Sequence, residues 1–315
     1  CPDTNILFRS GNMGKLPTMR SDNSEILPYN FKDYFVFIGT EKLSDHPNFC
    51  MFNHWHDETE IIVPLKGHMT YNINGDLIKL APGKGVFVNS NQIHYGFSDD
   101  STDCVFIYAL WHPMVLCATN EFENEYVNPI TKNASIPYLR LDADTPWQKT
   151  ILSDVSKMYE QLSDRAAPLM LQSRIFDIWH TIYVNTKQER KVTSSASPQL
   201  SILKDMLSLI HNGYGEKVTL NKIADAGKIS ISNCNVIFKK YLKESPIKYL
   251  LNYRLMKSTE LLVENALPIT EVAFEVGFSN PSYFIDAFKK AYGLTPNEYR
   301  KKFRASETFD PYADI

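Results

Sequence analysis

The sequence contains no apolar run approaching the ~18 residues that a membrane-spanning helix requires, which excludes that class of anchor. It also lacks paired cysteines: Cys1, Cys50, Cys104, Cys117 and Cys234 are odd in number and scattered, with no Cys-x-x-Cys motif. A disulfide-stapled secreted domain is therefore not expected, and free thiols in a reducing, cytoplasmic compartment are. The start has neither a basic segment nor an apolar segment of the kind that directs secretion. Residues 1–24, rich in Asn, Ser, Gly and Met, read as a leader of unassigned role. Charge of one sign is missing as well, since the chain carries a net charge of only −3 at pH 7.

That near-neutrality hides an uneven distribution. Residues 1–197 hold 17 basic against 23 acidic side chains, whereas residues 198–304 hold 16 against 10. Only the back of the chain has the sign that a phosphate backbone attracts. At 315 residues the chain exceeds a usual single core, so more than one domain is expected.

Residues 25–143 carry strand signals. Tyr34 to Ile38, Glu60 to Val63, Met69 to Ile73, Gly85 to Val88 and Cys104 to Leu110 are β-prone runs. Asn74-Gly75 and Pro82-Gly83 supply turns between them. Many short strands at this spacing predict a β-barrel of the jelly-roll kind. After Pro146 the period lengthens. Trp147, Ile151, Val155, Met158 and Leu162, then Leu169, Ile175, Ile178, Ile182 and Tyr183, predict an amphipathic helix pair over 144–186, broken near Ala167-Pro168 and suited to dimerisation. Residues 187–198 have almost no apolar bulk and read as a linker.

Over 199–304 the chain repeats itself. Ile223-Ala224, Ser230, Phe238-Lys239-Lys240, Pro246 and Tyr249 return as Val272-Ala273, Asn280, Phe288-Lys289-Lys290, Pro296 and Tyr299. The offset is 50 from the Phe-Lys-Lys onward and 49 at the Ala, so the second copy carries one extra turn residue. Two copies are too few for a solenoid, and each reads as a short helix, a tight turn and a second, capped helix. Ser230 is the N-cap expected for the first copy's second helix, Asn280 for the second copy's, with Pro281 at its first position. Facing outward are Ser232, Asn235, Val236 and Lys239 in copy one, and Ser282, Ile285, Asp286 and Lys289 in copy two. An Asn can pair with adenine, and small or apolar side chains can meet a thymine methyl. Lys239, Lys240, Lys289 and Lys290 are expected on phosphates. A long helix from Ser245-Pro246, with Leu250, Leu251, Leu255, Leu261 and Leu262 as its stripe, links the copies.

These residues resemble the DNA-binding domain of AraC/XylS-type regulators. Phe238-Lys239-Lys240-Tyr241-Leu242, Ser245-Pro246-Ile247-Lys248-Tyr249-Leu250 and Tyr253-Arg254-Leu255 match its first half. Val272-Ala273, Val276-Gly277-Phe278-Ser279, Ser282-Tyr283-Phe284, Phe288-Lys289-Lys290, Gly293-Leu294-Thr295-Pro296 and Tyr299-Arg300 match its second. The resemblance implies a bacterial activator that contacts two adjacent major grooves of promoter DNA and engages RNA polymerase. Two departures stand out. Lys228 occupies the turn position where the family more often has Gly, and Asp286 stands where a basic or polar reader is usual, so copy two is expected to read less sequence than copy one.

In the front domain, His54-Trp55-His56 and Glu60, with His94 further on, place side chains of one strand on one face if 54–60 is extended. His54-x-His56-x3-Glu60-x6-Gly67, with Pro82-Gly83 ahead of His94, resembles the cupin pattern. Such a set can hold Mn, Fe, Ni or Zn, and it can equally hydrogen-bond an effector without metal, the use the AraC-type resemblance implies. Tyr95 and Tyr108 join His54, His56, Glu60 and His94 as candidate effector contacts, and no cofactor is assigned. The fold expected is α+β multidomain: a cupin-like jelly-roll barrel with a helix pair, then an all-α domain of two helix-turn-helix units. The function expected is a homodimeric, ligand-responsive transcription regulator sensing a small molecule such as a sugar. The rival is a cupin metalloenzyme fused to a DNA-binding tail.

Overall fold

A computed structural model describes residues 18–19, 24–27, 29–31, 34–188, 198–264 and 266–307. Most of the expected leader, and the linker over 189–197, lie outside the described residues. The chain divides into two compact units that meet in sequence at Leu200 and Ser201.

The first unit is built on strands. Two short ones, β1 (Thr18–Met19) and β2 (Glu25–Ile26), pair with each other. Then follow β3 (Val36–Lys42), β4 (Thr59–Gly67), β5 (Met69–Ile73), β6 (Asp76–Leu80), β7 (Lys84–Val88), β8 (His94–Phe97), β9 (Cys104–Trp111) and β10 (Tyr138–Asp142). A five-stranded sheet in the order β10-β7-β4-β9-β3 faces a three-stranded sheet in the order β6-β5-β8, all pairs antiparallel. Between β9 and β10 lie the short helices α1 (Asn120–Phe122) and α2 (Asn128–Thr131).

Strand β4 explains why this stretch reads as a continuous apolar run rather than an alternation. Successive side chains point to opposite faces, and here both faces are covered. Ile61 and Val63 join Ile38, Ala109 and Trp111 beneath the helices α3 (Pro146–Glu160) and α4 (Ala167–Asn185), while Ile62 joins Tyr71, Val86 and Phe106 between the sheets. The apolar stripe of the helix pair is thus buried on the barrel: Ile151, Val155, Met158, Leu171, Ile175, Ile178 and Ile182 are all in that outer core. The break between the helices falls at 161–166. Pro168 does not interrupt a helix but sits in the first turn of α4, where its missing N–H leaves no bond unmade.

The second unit is helical: α5 (Pro198–Gly213), α6 (Leu220–Ala226), α7 (Ile231–Leu242), α8 (Pro246–Glu264), α9 (Ile269–Glu275), α10 (Pro281–Tyr292) and α11 (Pro296–Glu307). Ser230 Oγ accepts the Asn233 N–H at 3.3 Å and Asn280 Oδ1 accepts the Ser282 N–H at 2.9 Å, so both expected caps form. Helix α8 serves both copies. Tyr249, Leu250 and Tyr253 are buried near its start, Tyr249 ring-to-ring with Phe238 of α7, while Leu255 and Leu262 enter the core formed with Val272, Phe284 and Phe288. No helix among the described residues is long and apolar enough to cross a membrane.

The two copies turn differently. In copy two Gly277 (φ 86°) makes the left-handed turn, and a Cβ there would meet the Tyr214 carbonyl oxygen at 2.4 Å. In copy one the same position is Lys228, at φ 53°. Left-handed backbone costs an L-residue roughly 1–2 kcal/mol, less the extra entropy that glycine loses on folding. Lys228→Gly is therefore expected to stabilise the chain by about 1 kcal/mol, raising the unfolding midpoint by a few degrees in thermal denaturation. An unchanged or lowered midpoint contradicts this.

Candidate functional site

Two places concentrate chemistry. The first is inside the barrel. Strand β4 delivers Glu60 and β8 delivers His94, both to the space between the sheets. His54 reaches the same space because its backbone pairs with His94 through reciprocal N–H···O contacts of 3.2 and 3.0 Å. The chain from 54 to 58 is not one strand with β4, as the sequence pattern implied. His54 forms an isolated bridge, and Asp57-Glu58 turn the chain before β4 begins at Thr59. The convergence of His54, His56 and Glu60 nevertheless holds, with one ligand atom of each and of His94 all within 4.8 Å of one another.

Every imidazole is oriented the same way. The Nδ1 atoms lie 3.0, 3.1 and 2.8 Å from the carbonyl oxygens of Phe52, Glu58 and Gln92 for His54, His56 and His94 respectively. A carbonyl only accepts, so each Nδ1 carries the proton and donates. The Nε2 atoms then face inward: His94 Nε2 stands 2.9 Å and His56 Nε2 3.9 Å from Glu60 Oε2. Tyr71 donates its hydroxyl to the same carboxylate oxygen at 3.3 Å. Relative exposures of 7, 1, 3 and 1 % for His54, His56, Glu60 and His94 show that water contributes little to solvating this group.

The electrostatics follow from that burial. Desolvation, reinforced by His94, lowers His54 to about 4 and pushes His56 well below its ordinary value, so both are neutral at pH 7. Desolvation by itself would raise Glu60, but the charge and hydrogen bond of His94, with His56 and His54, hold it down at about 2. Without an ion, the contact of His94 Nε2 with Glu60 holds a proton. A divalent cation displacing that proton would meet three inward imidazole nitrogens, fixed by carbonyl-anchored N–H groups, and a carboxylate, the donor set such an ion takes. Ligands ~2.0–2.2 Å from one ion stand roughly 3–4 Å apart, so the cage fits after slight contraction. Such an ion, when bound, supplies a Lewis-acidic point for oxygen ligands.

Two further residues border the cage. Glu25, from β2, holds Oε2 3.5 Å from His54 Nε2 and is tied down by its backbone N–H to the Trp55 carbonyl at 2.9 Å. Burial, with Glu60, Glu41 and Glu58 nearby, raises Glu25 to about 8. Tyr108 lies on the interior face of β9 against Phe37 and Phe106, and the carboxylates of Glu41, Glu25 and Glu60 add to its burial in pushing its hydroxyl well up. Tyr95 is elsewhere. Being next to His94 in β8 it points to the opposite face, where Asn72 donates to its hydroxyl at 3.1 Å. The expectation that Tyr95 lines the same space as His94 is corrected by strand alternation. Glu25 and Tyr71 were not legible: both are single residues whose role depends on long-range pairing.

The second place is the outer surface of α7 and α10. Ser232, Val236, Lys239 and Lys240 are exposed in α7, with Val236 at 59 %. Asn235 is half-buried and donates its side-chain amide to the Ile231 carbonyl at 2.9 Å. In α10, Ser282, Asp286, Lys289 and Lys290 are exposed, and Ile285 is half-buried, packed partly on the core with Phe284 and Phe288. Ser230 and Asn280 have their side-chain oxygens engaged as caps. The residue overlooked is Tyr283, 55 % exposed in the first turn of α10. A large aromatic side chain left open at a cap is the signal that pointed to it.

Comparison with known proteins gives two family matches, a helix-turn-helix domain over residues 223–302 and a cupin domain over residues 47–111. The chain is 34 % identical over 250 residues to an uncharacterised HTH-type transcriptional regulator, YdeC, of Bacillus subtilis, covering 79 % of this chain and 85 % of that one. It is 25 % identical over 261 residues to the melibiose operon regulatory protein of Escherichia coli, covering 81 % and 85 %. Among solved structures it is similar to the C-terminal domain of AraT, a response regulator from Geobacillus stearothermophilus, with 34 % identity, 36 % of this chain and 93 % of that one covered, and a TM-score of 0.33.

Acid should weaken the barrel. His54 takes up protons in the unfolded chain below its ordinary value of 6.5 but in the folded chain only near 4, so the unfolded state binds more protons across that window. Stability is then fully present above pH 6.5 and lost as pH falls from there toward 4, with His56 acting in the same direction. In the presence of a chelator, the unfolding midpoint of wild type should drop across this window more steeply than that of His54→Gln. Equal slopes would contradict the assignment.

Proposed function

The chain belongs to the AraC-type family of helix-turn-helix transcription regulators and carries a cupin domain ahead of its DNA-binding half, and on that premise we propose how its parts divide the work. The C-terminal unit lays α7 and α10 in successive major grooves of promoter DNA. Helix α8, at 19 residues, is a strut of roughly 28 Å rooted in both cores. That length suits two recognition helices about one DNA turn apart. Copy one reads sequence through Ser232, Val236 and Asn235, the last exchanging its bond to the Ile231 carbonyl for a base edge. Copy two contributes Ser282 and Tyr283 and is limited by the acid Asp286. Lys239, Lys240, Lys289 and Lys290 fall on phosphates.

The barrel is the sensor. The observation that carries this reading is the cage of His54, His56, Glu60 and His94, four buried polar side chains whose inward atoms converge inside the barrel. We place a divalent cation there, with an oxygen-rich small molecule approaching past Tyr108, Glu41 and Glu25. A sugar has the required hydroxyls, and one relative is named for the melibiose operon. Ligand binding acts by favouring one arrangement of the chain over another, since equal affinity for both would shift nothing. A cupin enzyme would use the same cage. The regulator reading has the support of relatives that match along both units.

The exposed face of α4 supports the homodimer. Leu169, Phe176 and Val184 lie on the side opposite the buried stripe, at a spacing close to seven residues, with Leu169 77 % exposed. Activation through RNA polymerase, in the cytoplasm, rests on family membership alone.

Purified full-length chain, prepared without added metal, should carry about one divalent ion by elemental analysis, and Glu60→Gln should lose it. Both proteins should still bind duplex DNA at low salt, with affinity falling steeply as salt rises. No bound or titratable metal in the wild type would remove the cation from this reading. Phe176→Asp should shift the chain from dimer to monomer in sedimentation, and an unchanged mass would place the dimer contact elsewhere.

A further inference from the structure

The duplication lets the protein serve as its own control. Each copy needs left-handed backbone at two points, the turn before its recognition helix and the residue that ends that helix. Copy two uses glycine at both, Gly277 (φ 86°) and Gly293 (φ 70°). Copy one uses lysine at both, Lys228 (φ 53°) and Lys243 (φ 62°). Glycine takes this conformation without steric cost, and Asn or Asp are the side chains best suited to it otherwise. Lysine gains nothing from left-handed backbone itself, and its one local return is at Lys243, whose Nζ caps the Lys240 carbonyl at the end of α7. Some requirement other than the turn therefore favours lysine at these two points of copy one.

Both side chains are exposed and they bracket α7, one at each end. A helix of 12 residues spans roughly 18 Å, and the B-DNA major groove is about 12 Å wide between its phosphate walls. With α7 in the groove, its two ends stand closest to the two walls. Lys243 Nζ donates to the Lys240 carbonyl oxygen at 3.1 Å, and the Lys243 carbonyl accepts from Lys239 Nζ at 3.3 Å, so basic groups gather at that end. The matching ends of α10 are uncharged glycines, and its outer face carries Asp286.

We propose that Lys228 and Lys243 form a phosphate clamp around α7, retained against backbone strain, which makes copy one the electrostatic anchor of the DNA-binding unit. This rests on the DNA-binding reading above. The clamp fixes register and contributes affinity without reading bases.

The test uses the full-length chain and a duplex that the wild type enriches from a random-sequence pool, with binding followed by fluorescence anisotropy between 50 and 200 mM salt. The double variant Lys228→Gly/Lys243→Gly is expected to unfold at higher temperature yet bind at least ~10-fold more weakly. Its plot of log affinity against log salt should be shallower by about 1.8, two phosphate contacts at ~0.9 each. Lys228→Gln/Lys243→Gln, which keeps the strain and removes the charge, should bind as weakly. Lys228→Arg/Lys243→Arg should bind like the wild type. Unchanged affinity and slope in the Gly and Gln pairs would overturn the clamp while leaving the DNA-binding reading intact. Failure of the wild type to enrich any duplex would overturn both, and is distinguished by occurring before any variant is compared.

Discussion

The front unit depends on one constraint: the four polar side chains that converge inside the barrel have to find partners there. Each imidazole meets this by donating Nδ1–H to a carbonyl of its own or a nearby turn, at Phe52, Glu58 and Gln92. Those three contacts fix the rings, and the fixed rings turn their remaining nitrogens toward Glu60. Buried polar groups left unpaired are expensive, so the loops that supply these carbonyls cannot drift without cost. The position of segment 50–54 beside β8, the turn at Asp57-Glu58 and the approach of Glu25 all follow from this arrangement. The cation proposed for the centre would be held by the inward imidazole nitrogens and would offset the negative charge of Glu60.

The back unit obeys a different logic. Its local signals are strong and close together: a hydroxyl or amide cap, a left-handed turn, a Phe on the buried face and a Pro opening the next helix. They were readable because each acts within a few residues of itself. The helix starts at Ile231 and Pro281 and the burial of Phe238, Phe284 and Phe288 agree with what the pattern implied. Ile285 is half-buried, and how far such a residue at the edge of a helical stripe faces out depends on the neighbour that covers it.

Long-range relations account for the rest of what the sequence hid. β6, β8 and β10 are four or five residues long and partly polar, too short for a period-two pattern to stand out, and β10 is identified only by its pairing with β7. The helical segment between Thr119 and Thr131 was unread for a similar reason, its first turn being acidic and amide-rich rather than periodic. His94 and Tyr95 show the limit most clearly. Adjacent in sequence and both aromatic, they were assigned to one pocket, but a strand sends neighbours to opposite faces and only one of them could reach Glu60.

Helix α8 has a consequence for the DNA this protein selects. Because the helix is embedded in both cores, the two recognition helices cannot change their separation without exposing Leu255, Leu262 and Tyr249 to water. With both helices in the DNA as proposed, the two half-sites of one chain would be separated by a fixed number of base pairs, and a base inserted between them would act as a lesion. Sites read by separate chains have no such ruler. Genomic operators of this protein should be rigid within each chain's footprint and elastic between footprints.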